Sequence, residues 1–213
     1  MKKQKEIPTA MKGLRKTVLL CAFIALAAGC SRPAVISGDS IRPAELSQEE
    51  KDIINLYGGE NNCRIFDFAA GEEFNSASVR LKILSPEGQW MDHGRTVLDG
   101  SDASSGRILL TTPDEWQSVR MVLQDSSGTN SVSYQTGSED SFVPGQLTAS
   151  SWLSEAAAIE SGEEIPLLIH VEKNDGTGIE TFGTAMFEQP EALAQYDRVF
   201  AVTITFSEND SAG

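Results

Sequence analysis

Five side chains carry the groups that nucleophiles, bases and soft-metal ligands need: the thiols of Cys21, Cys30 and Cys63 and the imidazoles of His93 and His170. Their spacing recruits no partner. Neither histidine has a second one at metal-ligand spacing, so a zinc motif is excluded. The chain holds no Gly-x-Ser-x-Gly elbow, no phosphate-cradling Gly-x-x-x-x-Gly-Lys and no dinucleotide fingerprint. His170 lies inside the apolar run Ile165 to Val171 and reads as a packed or edge histidine. His93, in Met91-Asp92-His93-Gly94, reads as a turn residue beside an acid. Because triads assemble in space and not along the chain, His93 stays open as the base of a Ser-His-Asp site. The 31 acidic residues make chance carboxylate pairs inevitable, so their number says nothing for a glycosidase. Two acidic loops, Asp99-Gly100-Ser101-Asp102 and Asn174-Asp175-Gly176 with Glu180, lack the 1, 3, 5 and 12 ligand spacing of a calcium loop and use residues that turns need anyway. No cofactor or metal is called for.

The thiols make more sense once their surroundings are considered. A basic lead-in, Met11-Lys12-Gly13-Leu14-Arg15-Lys16, runs into an apolar stretch from Thr17 to Ala28 and stops at Ala27-Ala28-Gly29-Cys30. That stretch has the length of a signal-peptide h-region and falls well short of the ~20 residues that span a bilayer. Met11 begins a leader of ordinary proportions, so both Met1 and Met11 stand as translation starts. The arrangement resembles the signal peptide and lipobox of bacterial lipoproteins, with Ala27 where the family usually has Leu and Leu26 one place further out. The resemblance implies cleavage between Gly29 and Cys30 and acylation of the Cys30 thiol. Cys21 leaves with the leader, so Cys63 remains alone, no intramolecular disulfide can form, and the domain rests on its core. A lone cysteine before Arg64-Ile65-Phe66-Asp67-Phe68 reads as a small buried hydrophobe.

Charge narrows the partners. Of 17 basic and 31 acidic residues, the leader takes six basic and one acidic, which leaves 11 against 30 and a formal charge of −19. Such a surface repels phosphate backbones, so nucleic acid is disfavoured, and anionic lipid headgroups will not hold it. Attachment to the membrane therefore falls to the acyl anchor on Cys30, each buried methylene contributing about 0.8 kcal/mol.

The elements that position any site follow from periodicity. Residues 30–45, with Pro33, Gly38 and Pro43, read as a tether. Ser47 and Glu50 form a capping box that starts a helix bearing Ile53, Ile54 and Tyr57 on one face and ending at Gly58-Gly59. From Cys63 the period becomes two. Val79, Leu81 and Ile83 alternate with Arg80 and Lys82 and turn at Pro86-Glu87-Gly88 into Gln89-Trp90-Met91; a further strand lies near Thr96-Val97-Leu98, and Asp99 to Gly106 reads as a loop. Arg107 to Thr111, Val119 to Leu123 and Ser131 to Tyr134 read as strands. Trp152-Leu153 with Ala156, Ala157 and Ile159 suggest a short helix. Ile165 to Val171 reads as a strand covered on both faces, Phe182 to Phe187 as its returning partner, Pro190 to Tyr196 as a helical turn and Val199 to Phe206 as the closing strand. The sum is a mainly β domain, residues 46–206, expected to be a β-sandwich of about eight or nine short strands with a short N-terminal helix, followed by a loose tail at 207–213.

Among the aromatics, Trp90 and Trp152 read as core. Trp116, in Pro113-Asp114-Glu115-Trp116, reads as a loop aromatic, and such residues on a rigid sheet are where binding is usually placed. The segments Leu46-Ser47-Gln48-Glu49-Glu50-Lys51 and Tyr196-Asp197-Arg198-Val199-Phe200-Ala201-Val202-Thr203-Ile204-Thr205-Phe206 are similar to those of small bacterial surface lipoproteins, a resemblance that brings no activity with it. The expectation is a non-catalytic module held on the extracytoplasmic face of the cell membrane, binding an envelope protein or glycan through a surface that includes Trp116. Two other readings are a hydrolase of envelope polymers and an accessory or sensor subunit of a transporter.

Overall fold

Strands dominate because apolar residues alternate with polar ones over most of the chain. The computed structural model describes residues 38–56, 58, 59, 61–99, 104–113, 116–126, 128–136 and 146–208. The leader with Gly29 and Cys30, the first part of the tether, Tyr57, Gly100 to Ala103 and the last five residues lie outside the described residues.

Eleven strands form two antiparallel sheets. They are β1 (Ser40–Pro43), β2 (Cys63–Ala69), β3 (Ser76–Leu84), β4 (Trp90–Asp99), β5 (Ser105–Thr111), β6 (Ser118–Gln124), β7 (Thr129–Gln135), β8 (Leu147–Trp152), β9 (Ala157–Ala158), β10 (Glu164–Lys173) and β11 (Arg198–Ser207). One sheet has the order β7-β6-β5-β2-β1-β9 and the other β4-β3-β11-β10-β8. A helix, α1 (Gln48–Leu56), follows β1, and a second short one, α2 (Pro190–Leu193), precedes β11.

The strand count exceeds the expected eight or nine. Ser40–Pro43, read as tether, pairs with β2, placing Ile41 opposite Phe68 with no exposure at all. The helix therefore does not lead the described domain. Its capping box forms as read: the Glu50 N–H donates to Ser47 Oγ at 3.3 Å and the Ser47 N–H to Glu50 Oε2 at 2.8 Å. The helix expected around Trp152 to Ile159 is absent; Trp152 ends edge strand β8, and Ala157–Ala158 pair with β1. Edge position explains the miss, since Leu147-Thr148-Ala149-Ser150-Ser151 is too polar to alternate visibly. Phe182 to Phe187 forms no strand. Thr184–Glu188 is a 3₁₀ turn that lays Phe187 on the sheet, where Trp90 stacks on it at 5.0 Å and donates its indole N–H to the Phe187 carbonyl at 2.9 Å.

Both sheets contribute to one core. Phe66, Phe68, Ile108, Leu110, Met121 and Leu123 from the first meet Val79, Leu81, Leu168, Phe200, Val202, Ile204 and Phe206 from the second. A smaller cluster covers the other face of the second sheet, where Ile169, Val171, Val199 and Ala201 lie under Phe187, Leu193 and Tyr196. This explains why β10 is apolar on both faces. Pro166, which has no N–H to give its neighbours, sits where the β10–β11 register shifts. The sheet edges β7 and β4 also meet: Tyr134 donates its hydroxyl to the Arg95 carbonyl at 2.8 Å, with its ring over Gly94 where a Cβ would lie 2.5 Å away.

Candidate functional site

The titratable chemistry collects at β8, β10 and β11. His170 and Glu172 are two apart on β10 and share a face, and register sets Ser150 of β8 beside His170. Ser150 Oγ lies 2.8 Å from His170 Nδ1, and His170 Nε2 lies 3.3 Å from Glu172 Oε1. Arg198 donates Nη2 to Glu172, and Gln146 donates its amide to the second carboxylate oxygen. His170 is wholly buried and Glu172 nearly so. Burial lowers the His170 pKa, with the Glu172 contact opposing it, so the ring is neutral at pH 7. A neutral ring satisfies this site completely: Nε2–H donates to Glu172 while Nδ1 accepts from the Ser150 hydroxyl. Burial raises the Glu172 pKa, but the bonds from His170 and Arg198 and the arginine's charge outweigh it and hold the carboxyl below its ordinary value.

Trp116 closes this cluster. Its ring stacks on His170 at 4.2 Å and 14° and lies 6.2 Å from Phe200 and 6.0 Å from Trp152. The residue takes φ 73°, a left-handed backbone that costs a bulky side chain about 1–3 kcal/mol. Its carbonyl accepts from the Thr136 hydroxyl and, at 3.2 Å, from Arg198 Nη2. Trp116 lies in the β5–β6 connection, as a loop aromatic, and is half-buried where its ring packs on the opposite sheet. Trp90 and Trp152 pack on the two apolar clusters.

His93 has no comparable surroundings. It is the extra residue of a bulge in β4, between Asp92 opposite Lys82 and Gly94 opposite Leu81, and so lies in a strand and not a turn. It is exposed, and no serine or aspartate bonds to it among the described residues. Cys63 is buried and free, its thiol pushed up by burial. Among the described residues no three His, Cys, Asp or Glu side chains converge on a metal-sized point, and no helix is long and apolar enough to cross a membrane.

A second feature lies on the outer face of the first sheet. Ile65, Leu109 and Val122 stand in register across β2, β5 and β6, with Cys63, Thr111 and Arg120 in the next row. Helix α1 covers this face from one side. Arg107 holds it there, donating Nη1 to Glu50 at 2.7 Å and Nε to Asp67 at 2.8 Å. The Arg107 hydrogen bond, helped by the Ser47 cap, lowers the Glu50 pKa to about 2. Between helix and strands runs an apolar groove of about 450 Å³ lined by Ile53, Ile54, Ile65, Leu109 and Val122, with Arg120 among its polar wall residues. Ile54 is buried against the sheet, whereas Ile53 is 56% exposed and Leu56 85% exposed. Sequence reasoning placed the isoleucines on a helix face but not the groove. Its signal was the apolar residues Leu109 and Val122 at the outward positions of β5 and β6.

Fold and site together define a mainly β domain with a buried polar network on one sheet and an apolar groove on the other. Family models, curated proteins and solved structures show no match to the chain.

Proposed function

We propose that this protein is a non-catalytic binding module with a β-sandwich fold, anchored to the extracytoplasmic face of the cell membrane through an acylated Cys30. Its partner is an envelope protein that inserts an apolar segment beneath helix α1. The observation that carries this reading is the groove, whose volume falls within the range of specific binding sites and whose lining includes the exposed Ile53. Apolar walls favour a protein segment over a glycan. Changing Cys30 to Ala should release the protein from membranes; full retention would sink the anchor. A photocrosslinking residue at Ile53 should capture one envelope protein, identified by mass spectrometry, and Val122→Glu should abolish the product. No product beyond that from a probe at exposed Met91, or one indifferent to Val122→Glu, would overturn the groove reading.

The hydrogen-bonded series Ser150, His170 and Glu172 supports a second reading, an envelope-polymer hydrolase with His170, not His93, as base. That reading requires Trp116 to swing off His170. A fluorophosphonate probe that labels the wild type but not Ser150→Ala would favour it, and absence of labelling would remove it.

A further inference from the structure

The outer face of the second sheet is divided. One end carries the apolar cluster around Phe187; the other is an open polar groove of about 420 Å³. Its floor follows from register, Ser78 of β3 lying opposite Thr205 of β11, which lies opposite Glu164 of β10. Arg80 and Lys82 continue the same face of β3, and Gly162 and Ser207 complete the lining.

Two properties of this groove point to a ligand. Ser78 is 2% exposed, lines the groove, and its Oγ has no hydrogen-bond partner; Thr205 Oγ1 and Arg80 Nε, in the same groove, are likewise buried and unpaired. Buried polar atoms left unpaired cost free energy, and two hydroxyls and one guanidinium nitrogen in that state on one groove are more than a floor that only has to pack would carry. The charges are also balanced. Lys82 Nζ lies 2.8 Å from Glu164 Oε1 and 3.3 Å from Asp92 Oδ1, and Arg80 Nη1 lies 3.9 Å from both carboxylates. An incoming anion would gain two cations and meet two carboxylates. A neutral group with several hydroxyls suffers no such repulsion, because each hydroxyl can accept from Lys82 or Arg80 and donate to Glu164.

We infer that this groove binds a neutral polyhydroxylated ligand, a sugar residue, with Lys82 and Glu164 as its charged contacts and the Ser78 and Thr205 hydroxyls beneath it. It lies on a different sheet from the apolar groove and depends on neither the anchor nor the partner proposed above.

The test is calorimetric titration of the purified full-length chain with glucose, galactose, N-acetylglucosamine and their β-1,4-linked disaccharides, with inorganic phosphate as the anion. At least one saccharide should bind with Kd of about 1–10 mM or tighter and better than phosphate. Lys82→Gln and Glu164→Gln should each weaken that binding roughly tenfold, and Ser78→Ala by a smaller factor, as expected for charged and neutral hydrogen bonds. Met91→Ala, outside the groove, should leave it unchanged. Circular dichroism of each variant separates lost contact from lost fold; Lys82 and Glu164 are at the rim, and their variants should keep the wild-type spectrum. Saturable binding by no saccharide, phosphate bound in preference, or full affinity in folded Lys82→Gln would each overturn the assignment.

Discussion

Arg198→Met tests the closed polar network most directly. Arg198 and Glu172 form an ion pair whose side chains are only 16% and 5% exposed. Removing one partner of a buried pair leaves an uncompensated charge, at a cost of about 3–5 kcal/mol. The same change takes away the Nη2 bond to the Trp116 carbonyl and so releases part of the restraint on its φ of 73°. Against a total stability of about 5–15 kcal/mol this is a large fraction, and at about 2–4 °C per kcal/mol it lowers Tm by roughly 6–20 °C. Urea unfolding followed by tryptophan fluorescence reads it. The deficit should depend on pH. The Arg198 charge lowers the pKa of both His170 and Glu172, so the folded variant takes up a proton more readily than the folded wild type and its deficit narrows as pH falls from 8 towards 5. The double variant Arg198→Met, Glu172→Met removes the buried charge altogether. It should cost only about 1–3 kcal/mol, the penalty of leaving His170 Nε2–H without an acceptor. A loss below about 1 kcal/mol in Arg198→Met, or a double variant less stable than that single one, would refute the reasoning.

Three other outcomes follow from the same geometry. Glu50 has a folded pKa of about 2, below its unfolded value, so the stability it lends is present above about 4.5 and lost as pH falls towards 2. Because both partners are about one-third exposed, Arg107→Ala should cost only about 1 kcal/mol or less at pH 7 and a small part of that at pH 2, measured by thermal melts at the two pH values. Gly94→Ala should destabilise by about 1–3 kcal/mol in urea, because the added methyl meets the Tyr134 ring; a neutral result would mean the ring does not seat there. The Cys63 thiol should resist iodoacetamide at pH 8 in the folded protein and react once it unfolds, as peptide mass spectrometry would report; rapid native labelling would contradict its burial.

Strands with one face on the core were legible because their side chains alternate, as β3 and β6 do at Val79 to Ile83 and Val119 to Leu123, and β11 was legible as the long apolar, β-branched run Val199 to Phe206. The capping box at Ser47 and Glu50 was legible too, since its bonds join residues three apart. Two short strands were not. β1, between β2 and β9, and edge strand β8 carry too few alternating apolar residues, and only the neighbours they pair with make them strands.

The sequence by itself determined the alternation that makes the domain mainly β and the excess of acidic over basic residues. The anchor proposed at Cys30 rests on the sequence alone. Only the tertiary structure decided where the chemistry lies. Ser150 meets His170 through strand pairing, Arg198 reaches Glu172 from a third strand, and Trp116 crosses from the other sheet to cover them. The apolar groove needs a helix and three strands in register, and the hydroxyl-floored groove needs three more. Local pattern reports which face of a strand is buried; it carries no information about which strand lies alongside, and both grooves and the polar network are products of that choice.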